Sequence, residues 1–74
     1  MLSSSGTAKQ ISDLMLDTFL RIDESVTSVR QTCTPEEAKA YVKSVSTILG
    51  SIIFDVLEPL YLQHPELKPE NWDD

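Results

Sequence analysis

The sequence predicts an all-α fold, an antiparallel hairpin of two long helices, and three observations support this prediction. Thr34, Pro35 and Glu37 form a helix-start signature: a threonine cap, proline at the first helical position, and glutamate three residues after the cap. Thr7 and Gln10 repeat the cap spacing earlier in the chain. Each signature precedes a long run in which apolar residues recur at steps of three and four, which is typical of one helical face.

The first helix is predicted over residues 8–31, after a flexible leader over residues 1–6. Asp17 and Arg21 lie four residues apart on the polar side and should form an ion pair, because this spacing places them on adjacent turns. The apolar face consists of side chains spaced by three or four: Ile11, Met15, Thr18, Ile22, Val26 and Val29.

The second helix is predicted over residues 35–58, and the turn over 32–34 is short enough to require antiparallel packing. Pro59 lacks an N–H and disfavours helical geometry at the preceding residue, so it should end or kink the helix, and one further turn could reach 62. Residues 63–74 are predicted to form an acidic, proline-containing, irregular tail. The seam of the helix is a coiled-coil-like series: Ala38, Val42, Val45, Leu49, Ile52 and Val56.

The size of the chain indicates self-association. Two helices in 74 residues bury little surface, and chains this short usually need disulfides, a metal or a partner. With one cysteine and one histidine, an intrachain disulfide and a Cys/His zinc site are both excluded. A second copy of the chain is the remaining source of stability.

The net charge of −6 is concentrated near the C-terminus, where one lysine stands among six acids: Asp55, Glu58, Glu66, Glu70, Asp73 and Asp74. This distribution argues against direct nucleic-acid binding, which needs clustered basic residues, and permits a basic protein partner. A solvating tail is the other interpretation. The serine-rich start is unlike a secretory signal, and no uninterrupted apolar run is long enough to span a membrane, so we expect a cytoplasmic protein without a membrane partner.

A second apolar stripe lies behind the seam of the second helix, and the first helix carries two further leucines off its own seam. Both meet at the open end of the hairpin, so we predict an interface formed by Leu16, Leu20, Gly50, Phe54, Leu57 and Tyr61. A glycine within an apolar stripe indicates a close approach, either by another chain or by the tail with Trp72. Two hairpins pairing through this stripe would form a homodimeric four-helix bundle.

Candidate chemistry is sparse. His64 directly precedes a proline in the predicted tail, and Cys33 has no neighbouring general base. Asp13 and Asp17 lie on the predicted polar face, and the Glu-x-x-His motif of bundle metal sites is missing. We therefore expect no catalytic residue, no metal and no cofactor.

The sequence thus predicts a small non-catalytic protein–protein interaction module, an adaptor or regulatory subunit. The alternative is an acidic inhibitor, of the immunity or antitoxin type, of a basic enzyme. In that case the tail would contact the enzyme, with a tryptophan as anchor, through Glu66, Glu70, Trp72, Asp73 and Asp74.

Overall fold

The computed structural model describes residues 2–72, and they form a helical hairpin, which confirms the all-α class. No strand occurs among these residues. The first arm is one helix, and the second arm consists of two α-helices separated by a π-helical segment, followed by a 3-10 turn. The elements in chain order are α1 Ser5–Thr32, α2 Pro35–Ser51, the π segment Ile52–Leu57, α3 Glu58–Gln63 and the turn Pro65–Leu67.

Helix α1 begins at Ser5, earlier than the sequence predicted, because its cap is Ser4 and not Thr7. Ser4 has extended backbone, and its Oγ accepts the backbone N–H of Thr7 at 3.3 Å. The preceding residue Leu2 packs against the core, and its carbonyl accepts a hydrogen bond from Nε2 of His64. Within the predicted leader, Ser5 and Gly6 are therefore helical, and Leu2 contacts the core.

The connection between the arms is Cys33 and Thr34, and the capping box at Thr34 is confirmed. Thr34 Oγ1 accepts the N–H of Glu37 at 3.2 Å, and Oε1 of Glu37 accepts the N–H of Thr34 at 2.9 Å. The backbone N–H of Thr34, and then its hydroxyl, hold the pKa of Glu37 below its ordinary value of 4.5. The start of α2 is thus fixed by groups within four residues of each other.

The second arm remains helical through Pro59 and continues to Gln63, beyond the predicted end at 58 and one residue beyond the further turn that the sequence allowed to 62. In the π segment the N–H of Glu58 donates to the carbonyl of Ile53, five residues earlier. Proline in a regular helix would clash with the carbonyl four residues before it and leave that carbonyl without a donor. The wider π turn just before Pro59 accommodates the ring and lets the helix continue to Gln63.

The π segment also shifts the buried face of the second arm by one residue. Up to the first residue of the π segment, the buried positions follow the predicted seam at Ala38, Val45 and Ile52. From the end of the π segment onward the pattern differs: Val56 is only half-buried, and the buried residues are Leu57, Leu60 and Tyr61. One extra residue rotates all later side chains by about 100° around the helix axis, which turns Leu57 and Tyr61 into the core of their own chain.

The molecule is elongated, and its core lies at the open end of the hairpin. Its axes measure 44 × 23 × 16 Å, and its radius of gyration is 14.6 Å, against about 11 Å for a compact domain of this length. The core cluster joins the start of α1 to the end of the second arm: Ala8, Ile52, Leu57, Leu60 and Tyr61.

Two hydroxyl pairs join the arms and show their antiparallel order. Ser12 and Tyr61 are hydrogen-bonded at 2.6 Å near the open end, and Ser25 and Tyr41 at 2.6 Å nearer the connection. The predicted ion pair is confirmed, since Nε of Arg21 lies 3.0 Å from Oδ2 of Asp17.

The second arm is long and apolar enough to meet a simple criterion for a membrane span. Its 29 helical residues, Pro35–Gln63, contain a window with a mean hydropathy of 1.5, of which 22% is buried in the molecule. Core helices of soluble proteins meet the same criterion, which rests on length and composition alone.

Candidate interaction surface

An open groove of about 470 Å³ lies between α1, the π segment and the C-terminal part of the chain. We call it the apolar groove, because no charged side chain lines it. Its lining is Leu16, Phe19, Leu20, Ile53, Leu57, Pro69, Asn71 and Trp72. The volume lies within the range of ligand and peptide pockets.

Each of the two arms contributes lining residues whose helical spacing puts them on one face. Leu16, Phe19 and Leu20 are three or four residues apart on α1 and therefore share one face. Ile53 and Leu57 are one turn apart in the π segment. Leu57 is buried and forms the floor, while Leu20 is 58% exposed at the rim.

Besides α1 and the π segment, the C-terminal part of the chain forms a third wall of the groove. Trp72 belongs to this wall. Its ring forms a T-shaped contact with the ring of Tyr61, with 5.1 Å between the ring centroids and 80° between the ring planes. The backbone N–H of Trp72 donates to the carbonyl of Pro69 at 3.0 Å, which closes the final turn. Trp72 thus packs on its own chain, at an aromatic contact of favourable geometry.

The six predicted interface residues do not form one exposed stripe. Leu16 and Leu20 line the apolar groove, and Phe54, the neighbour of Ile53, is 69% exposed. Leu57 and Tyr61 are buried in their own chain and therefore expose almost no side-chain surface, although Leu57 lines the apolar groove. The extra residue of the π turn is the physical reason.

Gly50 is half-buried, and an added Cβ would meet no atom within 4 Å. The described tail therefore does not fill the space beside this glycine, as one of the two interpretations of it required. The open space leaves room for an approach by another chain, the other interpretation.

The predicted tail contacts are dispersed. Glu66 and Glu70 are exposed, and Oε1 of Glu66 lies 3.4 Å from Nδ1 of His64. Trp72 is held against Tyr61, while Asp73 and Asp74 lie outside the described residues.

The sequence analysis missed the structural role of His64. This residue is buried and joins the two ends of the described chain, because its Nε2 donates to the carbonyl of Leu2. The π turn shifts the buried face of the second arm by one residue. His64, three residues after the buried Tyr61, lies on this shifted face. The three-residue spacing from Tyr61 therefore indicates that His64 is buried, but only when the position of the π turn is known.

The remaining polar side chains with potential chemistry are solvated. Asp13 pairs with Lys9 at 2.9 Å, and both are well exposed. Cys33 is exposed beside a second cavity of about 440 Å³ at the connection, where Arg30 and Lys39 also lie. Within residues 2–72, no three metal-ligating side chains come together.

Comparisons of the sequence with protein-family models and with curated proteins, and of the structure with solved structures, find no significant match. The fold and surface define the class of the molecule as an all-α helical hairpin with an uncharged apolar groove.

Proposed function

We propose that this chain is a small non-catalytic protein–protein interaction module that works as a homodimer through the apolar groove and its rim. The observation that carries the proposal is an uncharged apolar groove with the exposed Leu20 in its lining, in a chain that also exposes the ring of Phe54. A contiguous apolar surface marks interaction sites more often than isolated apolar residues do.

The area of the chain supports a partner of similar size. Its accessible surface is 5336 Å², against about 4,600 Å² for a compact monomer of 8.3 kDa. The excess, on the order of 700 Å², approaches the roughly 800 Å² that each partner buries in a standard interface. Stacking a second hairpin on the groove side would form a four-helix bundle.

Light scattering over a concentration series tests the proposal. We expect twice the 8.3 kDa monomer mass for the native chain. Leu20→Glu should give a monomer, because it places a charge in the interface. The matched control is Leu62→Glu, at a leucine that is 85% exposed and outside the groove lining, and it should remain a dimer. A native chain that stays monomeric at high concentration contradicts the proposal.

The charge of the tail favours a second candidate, an acidic inhibitor of a basic enzyme. Glu66 and Glu70 are exposed and available to a cationic surface, whereas Trp72 is engaged within the chain. Replacing both glutamates by glutamine should abolish binding to such an enzyme without disrupting the dimer. Unchanged inhibition by that variant would contradict this candidate.

We place either activity in the cytoplasm. Cys33 is a free, exposed thiol, and such thiols persist best in a reducing compartment. Cell fractionation with a C-terminally tagged chain would check this placement, and recovery in a membrane or secreted fraction would contradict it.

A further inference from the structure

We infer that Phe54 of each copy inserts into the apolar groove of the other copy, so that the dimer is held by two reciprocal aromatic insertions. The inference rests on the proposed homodimer and names its contact. It concerns one side chain, Phe54, and one receiving surface, the groove floored by Leu57 and walled by Trp72.

Two-fold symmetry requires the inserting group and the receiving groove to lie on one continuous patch. Phe54 directly follows Ile53, a groove residue, in the sequence, and its ring is not part of the groove lining of its own chain. Its ring is 69% exposed and lies outside the core cluster of its own chain. In the proposed dimer the two-fold axis lies beside the π segments, and each Phe54 ring enters the groove of the opposite copy.

Charge selects a second copy over a basic partner as the occupant. The groove offers no carboxylate to recognise a cation, although the chain as a whole carries a net charge of −6. Two acidic copies repel least where they meet through an uncharged surface. A fully buried phenylalanine side chain removes roughly 150–250 Å² from solvent, so the one ring that each copy inserts accounts for part of that copy's excess surface.

The sole tryptophan reports on the groove directly. Trp72 lines the groove, so its emission should shift to shorter wavelength as the concentration rises and a phenyl ring displaces water. Phe54→Ala should raise the dimer Kd at least about tenfold and move this transition to higher concentration. Leu62→Ala, the matched control outside the groove, should leave both unchanged.

A second measurement does not depend on any variant. In dimers mixed from isotope-labelled and unlabelled native chains, filtered NMR spectra should show contacts between the Phe54 ring and the Trp72 indole of different copies. If Phe54→Ala fails to fold, these contacts still decide the inference.

The outcomes separate the inference from the proposed function. A dimer without Phe54–Trp72 contacts between copies, whose Kd is unchanged in Phe54→Ala, overturns the inference and leaves the homodimer in place. A native chain that is monomeric at every concentration overturns both.

Discussion

Tyr61 joins three parts of the molecule at the open end of the hairpin. Its hydroxyl is hydrogen-bonded to Ser12 on α1, its ring contacts Trp72, and its position follows from the π turn. Both hydroxyls of the pair are buried, so each depends on the other for its hydrogen bond. Within the described residues, no buried side-chain nitrogen or oxygen lacks a partner, which is the usual condition of a native core.

Replacing Tyr61 by phenylalanine should lower the free energy of unfolding by about 1–3 kcal/mol, because the hydroxyl of Ser12 is left buried without a partner. Urea denaturation measures this loss. Tyr41→Phe is the matched control and should cost less, because Ser25 also donates to the carbonyl of Ile22. Ser12→Ala combined with Tyr61→Phe should recover part of the loss. Equal costs for the two tyrosines would contradict the role of burial.

At the scale of the element, the two helix starts differ in what fixes them. Thr34→Ala should cost about 1 kcal/mol, because a cap whose hydroxyl accepts a backbone N–H is lost. Thr7→Ala should cost less than about 0.5 kcal/mol, because Thr7 is an exposed residue within the first turn of α1. Thermal unfolding of both variants checks the difference, and a larger loss for Thr7 would show that Ser4 is not the cap.

The capping box also predicts a pH dependence. The pKa of Glu37 is held below 4.5 in the folded chain, so its contribution to stability is complete above that value. The contribution is lost as the pH falls through the lowered pKa, because the folded chain must then protonate a carboxylate that accepts hydrogen bonds. Glu37→Gln should abolish this part of the dependence when unfolding is followed from neutral to acidic pH. Parallel curves for the variant and the native chain would refute it.

The π segment behaves as a one-residue insertion, and a deletion tests this. Removing the exposed Asp55, together with Pro59→Ala to relieve the proline clash, should restore a regular helix with both halves of the core in register. The stability should change by less than about 1.5 kcal/mol. Removing Thr47 from α2 is the control, and it should unfold the chain because it rotates one half of the core by about 100°. Similar losses for the two deletions would contradict the insertion.

The helix starts show that local contacts were predictable from the sequence and long-range contacts were not. The start of α2 was predictable because Thr34 and Glu37 interact locally. The start of α1 was not, since Ser4 competes with Thr7 and the contact of Leu2 with His64 joins distant parts of the chain.

The residues of the candidate surface likewise divide into those that the sequence pattern identified and those whose position depends on distant contacts. The sequence identified Leu16, Leu20 and Phe54 as apolar residues that lie outside the main apolar seam of their helix. The burial of Leu57 and Tyr61 was not predicted, because apolar residues follow one another around the π segment and the three-and-four spacing fits two registers. The wall formed by Trp72 depends on where the irregular C-terminal part folds back, and no local pattern specifies that position.

At the scale of the whole molecule, shape and charge act against each other in self-association. The elongated hairpin leaves apolar surface uncovered, which favours a second copy. The net charge of −6 on each copy opposes the approach. The position of the uncharged groove between the arms reduces this opposition, although it does not remove the long-range repulsion.

Salt should therefore strengthen the dimer. The Debye length falls from about 30 Å at 0.01 M to about 3 Å at 1 M salt, so repulsion across a molecule 44 Å long is screened while the apolar contact is retained. Sedimentation at several salt concentrations should give a Kd that falls as salt rises. Replacing Glu66 and Glu70 by glutamine should reproduce part of this change at low salt, because each copy then carries two fewer negative charges. A Kd that rises with salt would mean that charged groups hold the copies together, and the apolar groove could not then be the contact.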